Sequence, residues 1–335
     1  MGKTRTGSLA AGTAALAGLT ALSLTAGAGA QTFRIPNCTP AANVEAIIDD
    51  SASMGGNDFN RLRVTGMELF IGNQGNQNKT LGAVEFGSKA KTVFKPAPIG
   101  ANRANMIAVL RAAVTADDGS TNYNDAFGLA TGDNPNANAR IFLTDGEHNV
   151  GNYAEGHRGG AKTYVVGLNI GRAGTSTAAD RLQRIASETG GTYYPDVKND
   201  TLQPTFNSIS SAVNCLVPPK TFRSKVFTRK GQKSTRTTTI NAAARNVDIV
   251  LNWATPSNKF GISSLTALGR KGKRLATLSG RGKPKKIGKQ KLARGKTFRT
   301  LSFRKPKGTK RVRFTVKVAT VVIPERTITQ LSLRR

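Results

Sequence analysis

Between residues 44 and 216 the chain alternates two apolar patterns. Short, near-continuous runs are rich in β-branched or aromatic residues: Val44–Ile48 ("VEAII"), Leu81–Phe86 ("LGAVEF"), Arg140–Thr144 ("RIFLT") and Thr163–Leu168 ("TYVVGL"). Such runs predict strands buried on both faces. Helical spacing appears at Met106, Leu110 and Ala113, at Leu182, Ile185 and Ala186, and at Leu202, Phe206, Ile209 and Val213. Strands alternating with helices predict a doubly wound, mostly parallel α/β sheet. Past Pro219 the period becomes two. "RVRFTVKVATV" sets Val312, Phe314, Val316 and Val318 opposite Arg311, Arg313, Thr315 and Lys317, and "NVDIVLNWAT" alternates Val247, Ile249, Leu251 and Trp253. Half-solvated antiparallel strands carry this pattern, so an all-β sandwich is expected to follow the α/β part.

Charge sharpens that division. The net charge of +31 is almost all C-terminal: residues 218–335 hold 32 Lys and Arg against two acids, Asp248 and Glu325. Residues 1–217 are close to neutral. The expected organisation is a signal peptide at 1–30, an α/β domain at 31–217 and a basic β-sandwich at 218–335, with "VPPK" (Val217–Lys220) as the seam. The first thirty residues read as an export signal because Lys3 and Arg5 precede a small-residue apolar run, and Ala28-Gly29-Ala30 offers a cleavage site before Gln31. No later stretch approaches the ~20 apolar residues of a membrane span. The only cysteines are Cys38 and Cys215, an even pair that reads as one disulfide in an exported chain. The expected location is therefore secreted or extracellular, with any cell-surface attachment non-covalent.

Candidate chemistry gathers at the predicted strand ends, where open α/β sheets bind ligands. "AIIDDSASM" ends a strand on Asp49, Ser51 and Ser53; "DDGSTNYNDAF" holds Thr121 in a polar loop that opens a helix; "IFLTDGEHN" ends another strand on Asp145. All five are hard oxygen donors, a set that suits Mg²⁺, Mn²⁺ or Ca²⁺ rather than zinc, with Mg²⁺ first. Asp50, Asp117, Asp118 and Glu147 are expected to be solvated loop charges, and His148 and His157 surface histidines. Tyr123 is expected to contact a ligand or to cover the loop.

"DDSASM", "GSTNYNDAF" and "FLTDGE" together resemble the three loops of the metal-ion-dependent adhesion site of von Willebrand factor type A domains. "LQRIASETGGTYY" (Leu182–Tyr194) resembles the late helix and strand of the same family. The resemblance covers roughly Val44 to Cys215 and leaves out the cationic part. It implies that Ser51, Ser53 and Thr121 bind the cation through hydroxyls, and that Asp49 and Asp145 act directly or through water. It also implies one open coordination position that an Asp or Glu of a protein partner completes.

No Gly-x-Ser-x-Gly, His-Glu-x-x-His or Cys-x-x-Cys is present, so nothing in the sequence speaks for an enzyme. "ARGKT" (Ala293–Thr297) lacks the upstream glycine of a phosphate loop. In the cationic part, Arg270, Lys271, Lys273 and Arg274, then Lys283, Lys285, Lys286, Lys289 and Lys291, form the candidate polyanion surface. The seven aromatics there fall largely on the apolar alternation. A base-stacking platform is therefore not evident, and anionic wall polymer, polysaccharide or lipid headgroups are favoured over nucleic acid. The expected function is metal-dependent protein binding or adhesion. The alternative is a polyanion-binding envelope protein whose metal site is structural.

Overall fold

A computed structural model describes residues 33–58, 60–116, 118–154, 160–255, 257–279, 291–294 and 298–334 of the chain. The expected signal peptide, Asp117, His157, Lys283, Lys285, Lys286 and Lys289 lie outside the described residues, and at Lys291 only the backbone is described.

The first sheet has six strands in the order β3-β2-β1-β4-β5-β6. They are β1 (Asn43–Asp49), β2 (Thr80–Phe86), β3 (Ala90–Pro98), β4 (Ala139–Thr144), β5 (Lys162–Leu168) and β6 (Thr192–Val197). Every neighbouring pair is parallel except β2–β3. The four apolar runs of the sequence are the four inner strands, whose side chains are almost all buried. Both edge strands carry proline, Pro96 and Pro98 in β3 and Pro195 in β6. An edge tolerates the missing amide donor that an inner strand would need for its ladder.

Helices cover both faces. One core joins Val44, Ala46 and Ile48 of β1 to α2 (Leu62–Gly72), α3 (Ile99–Ala113) and α6 (Asn199–Val213). The other joins Ile47, Phe86 and Phe142 to α4 (Tyr123–Asp133) and α5 (Thr177–Glu188). Successive residues of β1 thus enter opposite cores, as a strand's period of two requires. The doubly wound α/β class expected from the sequence is the observed one. Cys38 and Cys215 form a disulfide, with Cα atoms 5.6 Å apart.

Two antiparallel sheets follow. One runs β11-β10-β14-β8, the other β12-β13-β9-β15-β7. Their strands are β7 (Lys220–Arg223), β8 (Lys233–Thr239), β9 (Asn246–Asn252), β10 (Lys259–Leu268), β11 (Arg274–Ser279), β12 (Lys291–Arg294), β13 (Phe298–Arg304), β14 (Arg311–Thr320) and β15 (Ile328–Arg334). Ile249 and Leu251 of β9 and Leu301 and Phe303 of β13 share one core with Phe260 and Leu265 of β10 and Val312, Phe314, Val316 and Val318 of β14. This is sheet-on-sheet packing, as the alternation predicted. Gln330 of β15 joins the two parts of the chain: its amide donates to the Pro204 carbonyl of α6 at 2.9 Å and accepts from Asn207 at 2.9 Å. The carbonyl it meets belongs to the one proline inside α6.

Candidate metal centre

The five oxygen-bearing residues come together at the C-terminal ends of β1 and β4. Asp49, the last residue of β1, is fully buried. Its Oδ1 accepts from the Ser51 amide at 2.9 Å and the Ser51 hydroxyl at 2.5 Å, while Oδ2 accepts from Thr144 Oγ1 at 2.5 Å. Ser51 Oγ lies 3.1 Å from Ser53 Oγ, and Ser53 Oγ donates to Asp145 Oδ1 at 2.9 Å. The alternate spacing Asp-x-Ser-x-Ser therefore produces a continuous chain of oxygens from one carboxylate to the other. Ser53 opens the short α1 (Ser53–Asn57), so the loop turns back over the sheet immediately after its last hydroxyl.

Thr121 reaches the same place from the loop before α4. Gly146 lies against both hydroxyls: a Cβ at this position would make ordinary contact, 3.5 Å from Thr121 Oγ1 and 3.8 Å from Ser53 Oγ. The second and third loops are fastened to each other. The Thr121 amide donates to Asn149 Oδ1 at 2.8 Å, the Asn149 amide to the Thr121 carbonyl at 3.0 Å, and the Tyr123 hydroxyl to the Gly146 carbonyl at 2.8 Å. The Ala52 amide ties the first loop to the Gly119 carbonyl at 3.1 Å.

Burial pushes the Asp49 carboxyl up to about 6 despite its hydrogen bonds from Ser51 and Thr144. Asp145 is raised too, chiefly by burial. Neither carboxylate forms an ion pair among the described residues. Asp145 Oδ2 is buried without a well-formed hydrogen bond, and the Asn57 and Ser53 side chains only partly oppose the effect of burial on this carboxyl. A buried acceptor in that condition is costly unless something positive meets it. Two carboxylates, one with a poorly satisfied oxygen, and three neutral hydroxyls fit a small hard cation, and no nitrogen or sulfur donor is among them.

Two expectations are corrected. Asp50 is not a solvated loop charge: it is 1% exposed and pairs with Arg63 at 2.9 Å. Its carboxylate also accepts the amides of Thr115 and Ala116 at 3.0 and 2.6 Å, and Arg63 meets Asp58 at 2.9 Å on its other side. A buried carboxylate needs such a full set of partners, and this set anchors the chain entering the second loop. His148 is not a surface histidine either. It is 7% exposed, its Nδ1 accepts from the Tyr123 amide at 3.0 Å, and its ring packs beside Tyr123 and Tyr153. Burial lowers its proton affinity first, with Arg181 adding to the effect. Tyr123 itself is buried and covers the loop from below.

Of the other acids, Asp118 is partly exposed and 3.6 Å from Lys91, and Glu147 is exposed and 3.4 Å from Arg181. Sequence reasoning missed Thr144, Arg63 and Asp58, because each acts through a partner remote in sequence. A weak signal for Thr144 was its place directly before Asp145. In the cationic part, Arg270 and Lys271 sit on a turn at Arg270–Gly272, Lys273 follows it and Arg274 opens β11; all four are exposed.

Comparison with known proteins gives one family match, to the von Willebrand factor type A domain over residues 43–208. No curated protein matches the chain. Similar solved structures include a von Willebrand factor type A protein from Catenulispora acidiphila, 15% identical, covering 88% of this chain and 65% of that one at a TM-score of 0.42. The pilus adhesin SpaC of Lactobacillus rhamnosus GG is 11% identical over 90% of this chain and 44% of its own, with a TM-score of 0.42. Proximal thread matrix protein 1 of the mussel byssus, with a zinc-occupied MIDAS motif, is 15% identical over 55% and 50% at 0.41. The chain spans less than two thirds of each of these three proteins, and likenesses this distant carry nothing about what it binds. Family match and sheet agree on one assignment: residues 43–208 of this chain are a von Willebrand factor type A domain.

Proposed function

We propose that this domain binds a protein partner through a divalent cation, in an exported two-domain protein divided near Val217–Lys220. The observation that carries the reading is the row of oxygens from Asp49 through Ser51 and Ser53 to Asp145, ending beside Thr121 on a buried carboxylate oxygen without a well-formed hydrogen bond. Asp49, Ser51, Ser53, Thr121 and Asp145 would hold the ion, with Mg²⁺ the first choice and Mn²⁺ or Ca²⁺ next. When bound, the cation supplies a Lewis-acidic position for a carboxylate of the partner. The residues themselves do the arranging: Thr144 holds the Asp49 carboxylate, and the Asp50–Arg63–Asp58 set fixes the chain leading to Thr121. The family supports an adhesion-related, protein-binding role and supplies no sign of catalysis.

The test is calorimetric titration of Mn²⁺ and Mg²⁺ into the full chain, beside Asp49→Asn and Asp145→Asn. One saturable site weakened at least 100-fold in both variants is the expected result. Equal affinity in parent and variants, all folded, overturns it.

A second reading rests on the charge partition: a region of +30 attracts polyanions, and it would hold the molecule to an anionic surface. The two readings separate by treatment. Chelator removes the first kind of binding, and raised salt removes the second.

A further inference from the structure

We propose that the cationic region carries a specific binding cleft for a linear phosphate-bearing polymer, between the segment entering β9 and the turn leaving β13. The proposal rests on the polyanion reading above and gives it a place and a ligand. The cleft has a volume of about 560 Å³ and is lined by Arg245, Arg304, Lys305 and Lys307, with small residues between them. It is distinct from the basic turn at Arg270–Arg274.

Its walls are built by sheet register. β9 and β13 pair antiparallel, with Phe303 opposite Val247 and Arg304 opposite Asn246, so the ends of both strands arrive together. The Lys305 amide donates to the Arg245 carbonyl at 2.6 Å, and Lys305 Nζ donates to the Ala242 carbonyl at 2.6 Å. These two bonds fix the mouth. The turn then closes through Gly308 at φ +80° and Thr309, whose amide donates to the Pro306 carbonyl at 3.2 Å.

Four cations line the cleft and no acid does. Arg245, Arg304 and Lys307 are exposed, and none of the four forms an ion pair among the described residues. Lys305 is the one tied down; burial lowers its proton affinity, and nearby Lys310 lowers it further. Like charges held together without counter-charge are relieved by an anion, and the two guanidinium groups offer paired donors that match phosphate oxygens.

The lining also selects among polyanions. Three alanines, a proline and a glycine leave space and supply no ring. The aromatic residues Phe227, Trp253, Phe260, Phe303 and Phe314 are all buried in the sandwich core. Single-stranded nucleic acid would therefore find phosphate contacts without stacking, which forfeits much of what makes such binding tight. A flexible chain of phosphates loses nothing by the absence of rings.

Binding of fluorescent inorganic polyphosphate to the full chain, by anisotropy at several salt concentrations, tests this. A poly(glycerol phosphate) oligomer, polyglutamate and oligo-dT of matched charge serve as competitors. Two triple variants are compared, Arg245→Ser/Arg304→Ser/Lys307→Ser in the cleft and Arg270→Ser/Lys271→Ser/Lys273→Ser at the turn; all the replaced residues are exposed, and thermal melts check folding. The cleft variant should lose at least ten-fold in affinity and flatten the log–log salt slope by about two, while the turn variant loses less than three-fold. Both phosphate polymers should compete better than polyglutamate or oligo-dT, and whichever competes better names the source of the phosphate. Equal losses in the two variants, with the parent binding, overturn the cleft and leave the polyanion reading standing. Stronger competition by polyglutamate or oligo-dT overturns the choice of ligand. No polyphosphate binding by the parent overturns both the cleft and the polyanion reading.

Discussion

In the α/β part, Glu45, Asp49, Asp50, Asp58 and Arg63 are each no more than 2% exposed. In the β sheets, 32 cations share the region from residue 218 with two acids, yet among the described residues every buried polar side chain there is Ser, Thr, Asn or Gln. One region buries charge, pairing some of it as in Asp50, Arg63 and Asp58 and leaving other carboxylate oxygens without a partner, and the other keeps charge in water. The difference sets what each can recognise. A buried carboxylate is worth much to the one cation placed against it and is little affected by salt. A surface field acts on any polyanion and fades over about 8 Å at physiological ionic strength.

Three experiments bear on that contrast. The largest effect is expected from Arg63→Met, which leaves Asp50 and Asp58 buried without their shared guanidinium. Breaking a buried charge network of this kind costs about 3–5 kcal/mol, read from chemical denaturation. Cation affinity should fall as well, because Asp50 holds the chain before Thr121. A loss under about 1 kcal/mol would mean that the buried network does not dominate this region.

Next comes Glu45→Gln. Burial pushes the Glu45 carboxyl from 4.5 to about 8, with a hydrogen bond from Asn134 opposing the shift. Gly82 makes room for it, since a Cβ there would lie 2.2 Å from Glu45 Oε2. The folded value is the higher one, so the stability it contributes is full below about 4.5 and is lost as pH rises through about 8. The parent should lose on the order of 3–5 kcal/mol across that window relative to the Gln variant. Parallel pH–stability curves for the two would remove Glu45 from the set of burdened buried charges.

The smallest effect should come from Arg270→Ser, Lys271→Ser and Lys273→Ser taken singly. Each side chain is exposed, and each change should shift stability by less than about 0.5 kcal/mol. A destabilisation comparable to that of Arg63→Met would show that the surface field, too, is structural.

Much of the fold was legible. The four inner strands read as unbroken apolar runs because both faces of the sheet are covered by helices, and β9 and β14 read by alternation because one face of each meets water. The edge strand β3 gave no such signal. Its "AKTVFKPAP" has a single buried residue, Val93, and carries two prolines, which an edge accepts and an apolar pattern cannot announce. In the candidate metal site, Asp49, Ser51 and Ser53 were readable because a short loop spaces its oxygens in the chain itself. Asp145 was readable as the polar end of another buried strand and Thr121 from a polar loop that opens a helix, and the resemblance of the three loops joined them to the first.

Local sequence therefore determined the element types, the charge partition and the oxygen-bearing loops, since periodicity, composition and loop spacing are properties of neighbouring residues. Tertiary structure alone decided which charges are buried. Asp50 and His148 look like loop residues in the chain, yet Arg63, thirteen positions away, and the Tyr123 amide, twenty-five positions away, take them into the interior. Whether a polar group can leave water depends on partners that only folding delivers. The same holds for the cleft at Arg245 and Arg304, where strand register unites cations that the sequence places fifty-nine residues apart.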